Sequence, residues 1–159
     1  MMNNLFFQDK SRMYNINLTK EVYEQMLCYC SKANPYETGG ILIGNYSQNQ
    51  TQANILQITP PPKNSGHTKC SFYRGSCGLK KILDTAWNHG QYYLGEWHYH
   101  PNASSVPSSI DNNQMKSLSK NKKLNCPEPI LIIVGGDKNN WNINVRLYVN
   151  GQEIIMNKQ

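Results

Sequence analysis

A mixed α/β domain, with a mostly antiparallel or mixed central sheet flanked by helices, is the fold class the sequence predicts. Three observations carry it. Segments with helical spacing of apolar residues alternate with segments that read as strands. No internal repeat and no linker divides the chain. The length, 159 residues, suits one domain with room for a real core.

The elements follow in order. Residues 1–13 contain only Leu5-Phe6-Phe7 as an apolar run and are expected to be a flexible N-terminal arm, leaving 14–159 as one domain. Thr19 is a cap for a helix running to about Ala33, with Val22, Met26, Leu27 and Cys30 on one face. Pro35 follows it, and then a glycine-punctuated strand over 40–46. Residues 47–53 are polar and turn-like, Ile55 to Ile58 reads as strand, and Pro60-Pro61-Pro62 ends it. The stretch from Lys63 to Lys69 reads as a loop with His67 exposed. A helix is expected over Ser76 to His89, with Leu79, Ile82, Leu83 and Trp87 at helical spacing and Trp87 in the core. Tyr92 to His98 reads as strand, and Ser109 to about Lys120 as helix. Pro129 to Val134 is an unbroken aliphatic run, the mark of a strand buried on both faces. Trp141, Ile143, Val145, Leu147 and Val149 alternate as in a half-buried strand. Asn150-Gly151 then signals a hairpin into Glu153 to Met156.

Composition excludes several classes. Apolar residues make up 38% of the chain, and the longest aliphatic run, Ile130 to Val134, is far too short to span a bilayer. No membrane partner is expected. The N-terminal apolar run is too short for a signal peptide, and a reducing cytoplasm is the expected compartment. Five cysteines (Cys28, Cys30, Cys70, Cys77, Cys126) form no Cys-x-x-Cys, so neither a disulfide framework nor a zinc knuckle follows. Cys28 and Cys30 read as small core residues. The formal charge of +6 suits an acidic partner or nucleic acid. Lys116, Lys120, Lys122 and Lys123, however, cluster at the end of a predicted helix, where cations complement the dipole. No aromatic–basic interleaving marks a nucleic-acid groove.

Chemistry concentrates in His98-Tyr99-His100-Pro101, followed by Ser108 and Asp111. On a strand, residues i and i+2 leave the same face, so both imidazoles can converge on one cation. Ser108-Ser109-Ile110-Asp111 looks like a helix start, a turn able to return Asp111 to the histidines. Two His and one carboxylate leave a fourth tetrahedral position, as a catalytic zinc site requires. A general base is then needed. Glu37 opens Glu37-Thr38-Gly39-Gly40-Ile41-Leu42-Ile43-Gly44, and Glu96 shares strand parity with the two histidines; position alone does not choose between them. Gly39, Gly40 and Gly44 lack the Gly-Lys-Ser/Thr of a phosphate cradle and read as close backbone approach beside the site.

Glu37 before Gly39-Gly40-Ile41-Leu42-Ile43-Gly44, joined to His98-x-His100-Pro101 and Ser108-x-x-Asp111, resembles the JAB/MPN (JAMM) zinc metalloproteases. The resemblance implies a cytidine-deaminase-like sandwich and one zinc held by His98, His100 and Asp111. It also implies Glu37 as the base and Ser108 as a stabiliser of the tetrahedral intermediate. The string Tyr93-Leu94-Gly95-Glu96-Trp97-His98 is similar to a bacterial branch encoded beside ubiquitin-transfer-like (E1/E2) enzymes, including antiviral-defence operons of the CBASS type. The implied function is release of a ubiquitin-like or related modifier from a target protein. The implied partners are E1/E2-like enzymes and a nucleotidyltransferase. Two other readings stand beside it: a non-catalytic MPN scaffold, and a nucleic-acid-associated protein of the RadC kind. Against the latter, Asn102-Ala103 replaces that group's Ser-Gly after the proline.

Overall fold

The computed structural model describes residues 3–159. In chain order the elements are β1 (Leu5–Asp9), β2 (Asn15–Leu18), α1 (Lys20–Ala33), β3 (Thr38–Tyr46) and β4 (Gln52–Ile58). Next come β5 (Gly66–His67), β6 (Phe72–Tyr73), α2 (Leu79–Trp87), β7 (Tyr92–Pro101) and α3 (Ser109–Lys120). β8 (Ile130–Asp137), β9 (Asn140–Val149) and β10 (Gln152–Lys158) complete the chain. Eight strands form one mixed sheet in the order β1-β10-β9-β8-β7-β3-β4-β2, which closes on itself where β1 meets β2. The β2–β4 and β7–β8 pairs are parallel and the other pairs antiparallel.

Burial alternates along the central strands and sets the layers. Leu42, Trp97, Tyr99, Ile130, Ile132 and Val134 point into the closed sheet, where α1 adds Val22, Met26 and Cys30. On the outer face, Ile41 and Ile43 pack under Leu79, Leu83 and Ala86 of α2. Leu131 and Ile133 pack under Met115 and Leu118 of α3. β3 and β8 are therefore covered on both sides, which explains their unbroken aliphatic runs. Asn150 and Gly151, both at positive φ, make the expected tight turn between β9 and β10.

Several expectations are corrected. Leu5–Asp9, placed in a flexible arm, is instead β1, paired with both β10 and β2; Met1 and Met2 of that arm lie outside the described residues. Its signal is faint because only Phe7 of the apolar run is buried, and the turn that brings β2 back relies on one side chain. The Asp9 carboxylate accepts from the Ser11 N–H at 3.1 Å and the Tyr14 N–H at 2.8 Å. Trp87 is not core but 69% exposed, set edge-on against Tyr92. Gly78, at φ +81°, delays the helix to Leu79, and the buried stripe runs Leu79, Leu83, Ala86. Trp87 is one residue beyond Ala86, about 100° around the helix. Cys28 is exposed while Cys30 is buried, since residues two apart cannot share a helix face.

Candidate active site

The site begins with a bulge in β7. Leu42 pairs with Gly95 but its neighbour Ile43 pairs with Tyr93, so Leu94 is an extra residue in the ladder. Gly95 stands at φ +152°, and a Cβ there would collide with the Ile130 carbonyl across the β7–β8 pair. The extra residue reverses parity. Tyr93 faces outward toward α2, and beyond the bulge Trp97 and Tyr99 face inward, which sends Glu96, His98 and His100 outward. Without the bulge, both histidines would point into the apolar interior. Opposite His98, Gly39 leaves the space that the His98 and Phe72 rings occupy.

The first turn of α3 supplies the carboxylate. Ser108 caps the helix: its Oγ accepts from the Asp111 N–H at 3.0 Å, and the Asp111 carboxylate accepts from the Ser108 N–H at 2.9 Å. This reciprocal capping turns Asp111 back toward the sheet. Its Oδ1 lies 3.1 Å from His98 Nδ1 and its Oδ2 lies 3.3 Å from His100 Nε2. Glu37, half-buried just before β3, lines a cleft of about 350 Å³ with His100, Ser108 and Asp111. All five sequence-predicted site residues thus come together, with His98 buried behind the cleft.

Electrostatics tie these groups to one another. Burial alone would raise the Asp111 carboxyl, but hydrogen bonds from His100, His98 and the Ser108 N–H hold it far below its ordinary range. Burial alone would lower His100, yet the Asp111 hydrogen bond and charge, with Glu37, raise it. Burial raises Glu37, and the charge of His100 moderates that rise. His100 Nδ1 lies 3.2 Å from the Ser104 carbonyl, which can only accept, so Nδ1 carries a proton. In the neutral ring this leaves the Nε2 lone pair facing a carboxylate oxygen, an arrangement that only a second proton or a cation reconciles. Two imidazoles and a carboxylate are the ligand types of zinc enzymes. Among the described residues, no three such side chains are already spread around a common point; these three are bonded to each other. The residues fit a cation in chemistry.

Glu96 is neither exposed nor free to act as a base. It is 5% exposed, ion-paired to Arg74 through one oxygen and bonded by the Tyr93 hydroxyl at 2.5 Å through the other. Sequence reading missed Arg74, His67 and Phe72, all from the segment between β4 and α2. One signal was present: Arg74 is one of three arginines against thirteen lysines, and arginine is the cation preferred for buried pairs.

The profile of the family described as prokaryotic homologs of the JAB domain matches residues 19–147. The chain belongs to that family. A protein of Enterobacter hormaechei subsp. hoffmannii (strain UCI 50) named CD-NTase/cGAS isopeptidase is 42% identical over 131 residues, covering 82% of this chain and 73% of that protein. A probable metalloprotease, y4qB, of Sinorhizobium fredii (strain NBRC 101917 / NGR234) is 28% identical over 131 residues, covering 78% and 77%. The solution structure of protein DSY2949 from Desulfitobacterium hafniense shares the fold, with a TM-score of 0.64 and 20% identity over 91% of this chain and 89% of that one. Family and relatives together define a hydrolase of the isopeptidase or metalloprotease kind, and a metal cofactor goes with that class. Among the described residues, no helix is long and apolar enough to cross a membrane.

Proposed function

We propose that this chain is a zinc-dependent isopeptidase that cleaves a ubiquitin-like or related conjugate from its target protein in bacterial antiviral defence. The observation that carries it is the convergence of His98 and His100 on Asp111, beside Glu37 and Ser108, in a relative of a CD-NTase/cGAS isopeptidase. His98, His100 and Asp111 would hold the zinc, in the tautomer that the Ser104 carbonyl imposes on His100. When bound, zinc supplies Lewis acidity, polarising a carbonyl and making water acidic enough to lose a proton near neutral pH.

The remaining chemistry belongs to the chain. Glu37, raised above an ordinary carboxylate by burial, accepts the proton of the attacking water and returns it to the leaving amine. Ser108 donates its hydroxyl hydrogen to the developing oxyanion while its oxygen still caps α3. No side chain attacks the carbonyl, so no acyl-enzyme forms. The substrate would be a conjugate made by an E1/E2-like enzyme on a nucleotidyltransferase, in a reducing cytoplasm that suits five unpaired thiols.

The test is cleavage of such a conjugate, followed on a gel as release of free target. The wild type should release it, and o-phenanthroline should stop the reaction. Glu37→Gln should lower the rate on the order of 10²- to 10⁴-fold while keeping the fold. Release that persists in Asp111→Ala or under the chelator would show that another chemistry is responsible.

A further inference from the structure

The segment between β4 and α2 crosses the site and holds Glu37 by its backbone. The Glu37 N–H donates to the Thr68 carbonyl at 2.8 Å, and His67 Nδ1 donates to the Glu37 carbonyl at 2.8 Å. Phe72 stands edge-on to His98, with ring centroids 5.5 Å apart. Residues 66–71 of this segment are nevertheless exposed and supply no core residue. What fixes their position must lie elsewhere. At the far end of the segment, Arg74 reaches β7 and pairs with buried Glu96, while its Nη1 donates to the Gly75 carbonyl at 2.8 Å. The Gly75 N–H in turn donates to Ser65 Oγ at 3.0 Å, closing the loop on itself. Glu96 stands two residues before His98 on the same outward face of β7.

We propose that Arg74 and Glu96 form a latch: their ion pair fixes residues 65–75 to β7 and, through Thr68 and His67, sets where Glu37 stands over the site. Both are positioning residues. A buried ion pair gives little net stability, because desolvation offsets its attraction, so its contribution here is geometric. The guanidinium suits the task, since its fork reaches the carboxylate and the Gly75 carbonyl together, which an ammonium cannot do as well.

The proposal rests on the isopeptidase reading, and the experiment separates the two. Wild type, Arg74→Met, Arg74→Lys, Glu96→Gln and the surface control Lys80→Ala are compared as full-length, zinc-loaded protein. Conjugate cleavage, zinc content and hydrogen exchange are measured for each. Arg74→Met should lower kcat roughly ten- to a hundredfold with KM within a few-fold, as expected when a catalytic group is displaced. It should keep its zinc and exchange faster at the Glu37 amide and across residues 65–75. Arg74→Lys should recover part of kcat, and Lys80→Ala should match wild type. Wild-type kcat in Arg74→Met with only a lower melting temperature would overturn the latch. Should Arg74→Met not fold, wild-type kcat in both Arg74→Lys and Glu96→Gln overturns it equally. If the wild type cleaves nothing, the isopeptidase reading fails, and the exchange data still decide the latch: unchanged exchange in Arg74→Met refutes it.

Discussion

Single residues show how position on an element governs chemistry. Cys30 and Cys126 are buried, and burial pushes the Cys126 thiol up to about 12 and Cys30 higher still. The thiolate is the reactive form, so both should be inert near neutral pH. Cys28, Cys70 and Cys77 are exposed. Ellman's reagent should therefore titrate three thiols quickly in the native protein and the remaining two only after unfolding. Five fast thiols would mean that the α1 face is not packed as described. At this scale the candidate site was legible from two strings: His98, His100, Ser108 and Asp111 stand close together in the chain, and Glu37 opens the separate glycine-rich string before β3. Asp111 serves the cap and the histidines with one carboxylate: its Oδ2 accepts from the Ser108 N–H and lies by His100, while its Oδ1 lies by His98.

At the scale of elements, the device that matters most is the β7 bulge. The i, i+2 rule put both histidines on one face, but which face follows from Leu94, and a sequence pattern gives no sign of an extra residue in a ladder. Gly95 is the one local clue. Gly95→Ala must hold a side chain at φ +152° against the Ile130 carbonyl. The backbone strain alone costs about 1–3 kcal/mol, and the collision adds to it. The variant should show a lower urea midpoint and lose its zinc, because relief of the bulge turns His98 and His100 away from Asp111. A Gly95→Ala protein with wild-type stability and full zinc would remove the bulge from the account. Three strands are least legible in the sequence: β1, whose partners include distant residues, and the β5–β6 pair, each only two residues long. β1 pairs with residues near 157, and Arg74 meets Glu96 from 22 positions away. Hydrophobic period cannot encode such contacts. α2 illustrates the opposite error, an apolar Trp87 at helical spacing that a one-residue offset leaves in solvent.

At the scale of the whole molecule, β8, β7 and β3 are mostly buried neighbours in the closed sheet, and each of the three carries or aligns part of the site. β7 bears the histidines, β3 follows directly from Glu37, and β8 lies beneath α3. The site therefore sits on deeply buried strands, while exposed residues 66–71 cross above it. If these elements assemble one zinc centre, elemental analysis of the purified protein will register it. Near one zinc per chain is expected in the wild type and in Glu37→Gln, with almost none in His98→Ala/His100→Ala. Full zinc in that double variant, or none in a well-folded wild type supplied with the metal, would contradict the account.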